Sequence, residues 1–349
     1  MSQYFPKILS ISLGMVIIDE IRLPSKPPIK DVAGGSASYV TLGGRLFAGT
    51  IRASDVGCLI LAGQDFPESV EKRLLEWDMT LVLKKQNALS SRGLLEYGDD
   101  TFGPKTFQYT TEPLKPSPAD LVDTPLLSAK AVHFLASPEE IQTQVPELLS
   151  LRDRQGITER PLIVWEPFPA ACKTQNRQSL LDACKLVDIF SPNHLEITAL
   201  FVEIIPKGFT PEKLEEYASE VLDSSVGPSG EGAVIIRAAE HGSLTMSRST
   251  KAIWLPAFYE GGSSKVKDTT GAGNAFLGGY MAGWHIAQDV TEAACYGHVA
   301  ASFALEQIGL PKYEQLGDEE LWNGVSVMGR VEAYKMSLRG GKVRSEAFV

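Results

Sequence analysis

The sequence has few cysteines, and their spacing predicts no disulfide framework. It contains four of them, Cys58, Cys172, Cys184 and Cys295, with no CxxC pair among them. Cysteines with this irregular distribution usually stay as buried free thiols. We therefore expect a protein of a reducing compartment, and we place it in the cytoplasm.

Runs of positive charge and long apolar segments are also lacking. The formal net charge is −10, and no cluster of lysine and arginine would follow a phosphate backbone. This argues against binding to nucleic acid or to an anionic membrane. The longest N-terminal apolar run, residues 8–18, lacks a basic leader and is too short to span a bilayer. We expect it to be a buried first strand that Asp19 ends.

The alternation of apolar segments after residue 131 predicts an α/β fold. Apolar strand patterns occur at 131–135, 162–165, 187–190 and 233–236, and helical patterns separate them. One of these helices has a clear start, the capping box at Ser137 followed by Pro138. Such βαβ units favour a mainly parallel sheet flanked by helices. We expect a single domain over residues 1–349, with a fraying tail at 340–349.

Residues 89–110 differ from the rest of the chain. Apolar and polar residues alternate on either side of Gly98, Asp99 and Asp100, which is typical of antiparallel strands covered on one face only.

The most informative stretch is residues 265–284. We expect a strand that ends at Val266, a turn that contains Gly271 and Gly273, and then a helix with apolar residues at helical spacing. Glycines let the backbone turn sharply, and the first helical turn adds unpaired N–H groups and a partial positive charge. Such a place binds an anion, most plausibly phosphate. The alternative is a glycine-rich turn that serves packing alone.

The run Asp-Thr-Thr-Gly-Ala-Gly-Asn-Ala-Phe at 268–276 resembles the C-terminal signature of the PfkB, or ribokinase-like, carbohydrate and nucleoside kinases. The resemblance extends over residues 8–311. It implies a ribokinase-like fold with a small β lid at 21–33 and 89–110, and a homodimer formed through the lid. The implied reaction moves the γ-phosphate of ATP to a hydroxyl of a sugar or nucleoside, with Mg²⁺ as a second cofactor.

The resemblance also assigns roles to individual residues of this chain. Gly271, Ala272 and Gly273 would form the anion hole for the transferred phosphate, next to the catalytic position Asn274. Glu196 would hold the magnesium through water. The substrate-binding positions would be Asp19, Gly34, Gly35 and Tyr39, and the nucleotide-binding positions would be Asn193, Arg237, Gly242, Thr269, Thr270, Gly271, Gly273 and His298.

Several of these positions depart from the family pattern. Asn274 stands where the family has an aspartate that takes the proton of the attacking hydroxyl, and an amide has no basic lone pair at neutral pH. Tyr39 replaces an asparagine, and Arg237 and Ala239 replace a threonine and a glycine. The chain thus resembles a divergent branch, the fungal group that includes the maintenance-of-killer proteins.

Two residues keep a second interpretation at this point. Arg237 either pairs with phosphate or is a solvated strand end. The Asn193 and Glu196 pair is, as an isolated pattern, more often a helix cap than a magnesium site.

Three functions therefore stay open. The chain is a working phosphotransferase, a catalytically inactive protein that binds nucleotide or sugar, or an interaction protein that keeps only the fold. If only the base is missing, Asn274→Asp is expected to raise turnover by about 10²-fold.

Overall fold

The computed structural model describes residues 7–103, 105–317 and 319–340. Its helices are α1 (Gly35–Leu46), α2 (Glu68–Leu75), α3 (Pro138–Arg154), α4 (Arg177–Cys184), α5 (His194–Phe201), α6 (Pro211–Asp223), α7 (Ala272–Ala287), α8 (Val290–Leu305) and α9 (Val327–Gly340). Its strands are β1 (Ser10–Ser12), β2 (Ile17–Leu23), β3 (Lys26–Gly34), β4 (Gly57–Ala62), β5 (Thr80–Lys85), β6 (Arg92–Tyr97), β7 (Lys105–Tyr109), β8 (Ala131–Ala136), β9 (Leu162–Pro167), β10 (Ile189–Phe190), β11 (Ala233–Arg237), β12 (Ser243–Ser247), β13 (Ile253–Leu255), β14 (Tyr313–Leu316) and β15 (Glu319–Trp322). The predicted tail beyond residue 340 lies outside the described residues.

The central sheet has seven strands in the order β1-β8-β9-β10-β11-β12-β13. Within this sheet β1, β8, β9, β10 and β11 run parallel to one another, and β12 and β13 form an antiparallel edge. A parallel bridge from Ser10 to Val56 brings the β4–β5 pair beside β1. The predicted α/β fold with a mainly parallel, helix-flanked sheet is confirmed. The capping box at Ser137 also opens α3 as expected.

Alternate residues of the strands face two separate layers of the core. Val164 packs with α1, α7 and α8 on one face, whereas Ile163 and Trp165 pack with α3, α4 and α6 on the other. This alternation is what a sheet covered on both faces requires. All four cysteines are free and buried. In the described ranges, no helix combines the length and apolar character needed to cross a membrane.

Residues 8–18 do not form the single strand that we predicted. The run divides into β1, which lies in the central sheet, and the start of β2, which lies in a different sheet. Ser12 causes part of this break, because its hydroxyl accepts a hydrogen bond from the N–H of Gly14 at 2.9 Å. Gly14 also packs directly on Ser36, where a β-carbon would have no room. The apolar pattern alone gave no sign of this change of sheet.

The predicted strand end at Val266 is also absent. Residues 256–271 connect β13 to α7 without a strand, and the N–H of Lys267 instead donates to the carbonyl of Leu305 at 2.7 Å. The glycine turn and the helix after it are present.

The second sheet has four strands in the order β3-β2-β6-β7. β6 and β7 are antiparallel, as the period-2 pattern at 89–110 predicted, whereas β2 and β6 are parallel. A small separate cluster of Ile21, Leu23, Leu95 and Tyr97 holds this sheet together. We call this sheet the lid.

Two helices that carry candidate site residues, α1 and α7, cross with their backbones in contact. A β-carbon on Gly43 would lie 2.6 Å from the amide nitrogen of Gly279, and one on Gly278 would overlap the carbonyl of Val40. Only glycine permits such an approach.

Candidate functional site

The first turn of α7 is an open helix N-terminus. Gly271, the residue before the helix, has φ of +76°, a left-handed conformation that favours glycine. No side chain caps this turn. The first N–H groups of a helix have no partner within the helix, and they carry part of its positive dipole. This end of α7 is therefore suited to an anion.

Three polar residues lie near this turn because they follow neighbouring parallel strands. Glu166 is the penultimate residue of β9, Asn193 follows β10, and Arg237 is the last residue of β11. The carboxyl ends of parallel strands meet at one edge of the sheet, where open α/β proteins commonly bind ligands.

Arg237 is the positive centre of this edge. Its side chain is 10% exposed, and its Nη1 lies 2.7 Å from Oε1 of Glu166. Its Nη2 donates to the carbonyl of Ser191 at 2.9 Å and lies 3.6 Å from Oε2 of Glu196. Arg237 is thus a buried, paired arginine and not a solvated strand end.

Asn274 belongs to a buried hydrogen-bond chain. Its Nδ2 donates to Oε2 of Glu166 at 2.5 Å, and the same oxygen lies 3.2 Å from Nε2 of His133. His133 in turn lies 2.9 Å from the hydroxyl of Ser12. Burial raises the pKa of Glu166, but Arg237 and His133 outweigh this effect, so that the net shift is downward. Glu166 is therefore an anion whose two oxygens are both occupied.

Glu196 lies in the capping box of α5. Asn193 accepts hydrogen bonds from the N–H groups of Leu195 and Glu196, and Oε2 of Glu196 accepts from the N–H of Asn193 at 2.7 Å. Burial raises the pKa of Glu196 to about 7, with Arg237 acting in the opposite direction. Asn193 and Glu196 therefore form a helix cap, as one of the two interpretations of this pair predicted.

These residues do not fit a divalent ion that the protein itself would hold. Glu196 has only Oε1 free, and the guanidinium of Arg237 lies beside its other oxygen. Among residues 7–103, 105–317 and 319–340, no group of three or more His, Cys, Asp or Glu side chains could hold a metal ion. Mg²⁺ prefers oxygen ligands in near-ideal octahedral geometry and is disfavoured next to a fixed cation.

A cavity of about 750 Å³ runs from the first turn of α7 to α8. At its inner end lie Arg237 and Asn274, and at its outer end lie apolar walls from Phe258, Ala301 and Leu305. Of the predicted nucleotide and catalytic positions, eight line this cavity: Asn193, Arg237, Gly242, Thr269, Ala272, Gly273, Asn274 and His298.

His298 at the outer end is neutral. It is buried, its Nε2 lies 2.8 Å from the hydroxyl of Ser243, and its ring meets Phe276 edge-on. Burial lowers the pKa of His298 to about 3. The neutral ring of His298 and the apolar walls of Phe258, Ala301 and Leu305 suit a flat aromatic base better than a phosphate, and the charged residues Lys267 and Glu260 also line the cavity.

The predicted substrate positions lie outside this cavity. Asp19 is on β2, between Gly34 of β3 and Gly93 of β6, and a β-carbon on either glycine would overlap its carboxylate. Asp19 is 5% exposed, and its Oδ1 is buried without a hydrogen-bond partner in the part of the chain described. Burial raises the pKa of Asp19 to about 7, and Lys105 opposes this shift. Gly35 has a positive φ of +83° at the start of α1.

Tyr39 fills the space next to the turn. It is 2% exposed, and its ring packs so closely on Gly271 that a β-carbon there would overlap the ring. Burial raises the pKa of its hydroxyl, and the nearby carboxylates of Asp268 and Asp19 act in the same direction. Tyr39 therefore occupies the region between Asp19 and the first turn of α7.

Lys105 connects the lid to residues 268–276, the run that resembles the family signature. Its ammonium lies 3.0 Å from Oδ1 of Asp268 and contacts the hydroxyl of Thr270. Tyr97, also on the lid, donates to the same Asp268 oxygen at 2.9 Å. Thr270 therefore takes part in this connection and does not line the cavity.

Sequence reasoning missed two residues that contact the candidate site, Glu166 and Lys105. Glu166 had a usable signal, since it ends a predicted parallel strand at the edge where Asn193 and Arg237 were expected. Lys105 had none, because its partner Asp268 is 163 residues away and no local pattern joins the two.

Comparison with known proteins gives one family and several relatives. The family model of the pfkB family carbohydrate kinases matches residues 102–312. The uncharacterized protein C16C9.01c of Schizosaccharomyces pombe is 32% identical over 340 residues, which are 93% of this chain and 92% of that protein. Protein MAK32 of Saccharomyces cerevisiae is 27% identical over 343 residues, 94% of this chain and 92% of its own.

The fold is similar to that of solved ribokinase structures. A crystal structure of a putative ribokinase II from E. coli, in complex with ATP and Mg²⁺, superimposes with a TM-score of 0.65 at 16% identity. The alignment covers 95% of this chain and 99% of that one. The chain therefore has a ribokinase-like α/β fold.

Proposed function

Because the chain belongs to the pfkB family of carbohydrate kinases, in a divergent branch similar to MAK32, we propose that it binds ATP and transfers phosphate weakly or not at all. The observation that carries this proposal is Tyr39, whose buried ring packs on Gly271 beside the open first turn of α7. The nucleotide cavity is open, whereas the acceptor side is filled.

The cavity supports a specific orientation of the nucleotide. The phosphates lie on the uncapped N–H groups of the turn from Gly271 to Gly273, next to Arg237, where the helix dipole and the guanidinium both favour an anion. The base lies toward His298 and Phe258, in the apolar end of the cavity. The volume of about 750 Å³ is within the range of small-molecule sites.

The catalytic position supports slow chemistry. Asn274 is neutral, and its amide donates to Glu166 and has no basic lone pair. Glu166 is the nearest carboxylate, but Arg237 and His133 lower its pKa and occupy its oxygens. A general base usually contributes about 10²- to 10⁴-fold, and neither Asn274 nor Glu166 is suited to supply that factor.

One observation favours a second candidate, a working kinase for a sugar or nucleoside. Oδ1 of Asp19 is buried without a hydrogen-bond partner among the described residues, and a buried polar atom of this kind is costly unless a ligand completes it. A substrate hydroxyl would satisfy it. This candidate requires Tyr39 to leave its place against Gly271.

Two measurements separate these candidates and the interaction protein that keeps only the fold. ATP at about 100 times its dissociation constant should stabilise the protein by about 2.7 kcal/mol in thermal unfolding, and a protein that keeps only the fold would show no stabilisation. ADP production is then measured with a panel of sugars and nucleosides. Stabilisation without acceptor-dependent ADP production supports our proposal, and production that depends on one acceptor supports the kinase.

We further propose a cytoplasmic protein that dimerises through the lid. Four buried free cysteines suit a reducing compartment. The lid has exposed apolar side chains, Ile29 at 37%, Phe107 at 45% and Tyr109 at 37%. Analytical ultracentrifugation of Phe107→Ser tests the dimer, which this change should weaken.

A further inference from the structure

Arg237 is built into the phosphate end of the cavity. A β-carbon on Gly273 would overlap Nη1 of Arg237, so the guanidinium lies directly against the first turn of α7. Both Arg237 and Gly273 line the cavity. A helix N-terminus and a guanidinium therefore converge on one place.

The guanidinium keeps donors for a ligand. An arginine has five N–H groups, and those of Arg237 that have partners point to Glu166 and Ser191. Its Nε is buried and makes no hydrogen bond to the described residues. A buried N–H without a partner costs about 1–3 kcal/mol, which a bound acceptor would recover.

The orientation of Arg237 is fixed from three sides. Glu166, the Ser191 carbonyl and Glu196 lie around its two terminal nitrogens. A guanidinium that is held in this way loses little side-chain entropy when a phosphate binds. It is a permanent positive charge of the chain at the place where the phosphates would bring negative charge.

A divalent ion would find few free carboxylate oxygens at this place. Glu196 offers one free oxygen, and its other oxygen faces Arg237. Two unit charges of the same sign about 5 Å apart repel by about 3 kcal/mol at an effective dielectric constant of 20, and a divalent ion doubles this. The arginine and the metal would compete for the same negative charge.

We propose that Arg237 takes the place of a divalent ion, so that this chain binds a nucleoside triphosphate without magnesium. The inference rests on the proposed nucleotide function. The ligand class is a nucleoside triphosphate or diphosphate whose terminal phosphates contact both the turn at Gly271–Gly273 and the guanidinium.

The experiment compares ATP binding to the full chain in EDTA and in excess magnesium chloride by isothermal titration calorimetry. We expect the two dissociation constants to agree within about threefold. Arg237→Met should weaken binding in EDTA by about tenfold or more, because a charge-assisted contact to phosphate is lost. Arg237→Lys keeps the charge without the planar fork, and its affinity for ATP should lie between those of wild type and Arg237→Met.

Glu196→Gln is the matched control. If Glu196 held a metal, this change would reduce binding in magnesium and leave binding in EDTA unaltered. We expect instead that any change in affinity is the same in both conditions, because the carboxylate pairs with Arg237 and caps α5 whether or not magnesium is present. This variant and the wild-type comparison stay informative even if Arg237→Met fails to fold.

The outcomes are distinct. Wild-type binding that is more than about tenfold weaker in EDTA than in magnesium overturns the inference and leaves the proposed function intact. Absence of binding in both conditions overturns the proposed function itself. Equal binding in both conditions, with a loss in Arg237→Met, supports both.

Discussion

Asn274 donates its side-chain N–H to Oε2 of Glu166, at 2.5 Å, so the predicted catalytic position is occupied by the donor of a partly buried hydrogen bond. Asn274→Asp would therefore place two carboxylates in contact instead of simply restoring a base. Like charges at this distance share a proton, and one pKa rises. We expect the free energy of unfolding of this variant, relative to wild type, to be about 2 kcal/mol lower at neutral pH than at acid pH. Urea unfolding across pH measures this.

The double variant Glu166→Gln with Asn274→Asp tests the same contact. It exchanges donor and acceptor and keeps the total charge of the two side chains, whereas the ion pair of Arg237 with residue 166 becomes a neutral contact. We expect it to recover stability relative to Asn274→Asp and to gain acceptor-dependent ADP production, by about tenfold or more. A double variant no more stable than the single one would contradict this account of the contact.

Tyr39→Asn should open the acceptor side. Removing a large buried aromatic side chain costs about 3–5 kcal/mol and leaves a space between Asp19 and Gly271. We expect binding of a sugar or nucleoside to appear, measured as ligand-dependent thermal stabilisation. Tyr39→Phe is the control, because it keeps the ring and should leave acceptor binding absent. If Tyr39→Asn folds and still binds no compound of the panel, Tyr39 is not what closes this space.

Asp19 should make stability depend on pH. Burial raises the pKa of this carboxyl from 3.8 to about 7, so the folded protein holds its proton more tightly than the unfolded chain. The free energy of unfolding therefore falls as the pH rises from the lower value to the higher one. Asp19→Asn removes this contribution, and we expect it to be more stable than wild type by about 2 kcal/mol near pH 8 and similar near pH 4.

The control for this pH series is Asp223→Asn, at an exposed position at the end of α6. The stability difference between this variant and wild type should not change across the same range. An unchanged difference for Asp19→Asn as well would show that Asp19 is ionised in the fold at all of these pH values.

Gly273→Val should abolish nucleotide binding. The added side chain would overlap Nη1 of Arg237 and displace the guanidinium from the first turn of α7. We expect the ATP titration to show no heat of binding, and stability to fall modestly. Gly329→Ala, on α9, is the control, since its β-carbon would meet only Ser326 at 3.6 Å. Retention of ATP binding in Gly273→Val would argue against this position for the phosphates.

The sequence predicted those features that depend on local pattern. The strands β8, β9 and β11, the hairpin of β6 and β7 and the cap of α3 follow from apolar period and capping chemistry, which act over a few residues. The break inside residues 8–18 was not predictable in this way, because it depends partly on Gly14 packing on Ser36 of α1. The same holds for the site. Its glycine turn was visible in sequence, but the contacts of Asn274 with Glu166 and of Lys105 with Asp268 join residues over 100 positions apart.

The glycine contact between α1 and α7 has a consequence for any opening motion. α1 carries Tyr39 and α7 begins at the turn that Tyr39 covers, while Gly43 and Gly278 bring the two backbones together. Direct backbone contact at these glycines leaves the two helices little freedom to move apart. A hinge movement of the lid would release Lys105 and expose Asp19, but it would not by itself separate Tyr39 from Gly271. Any opening on this side of Gly271 therefore depends on the Tyr39 side chain itself.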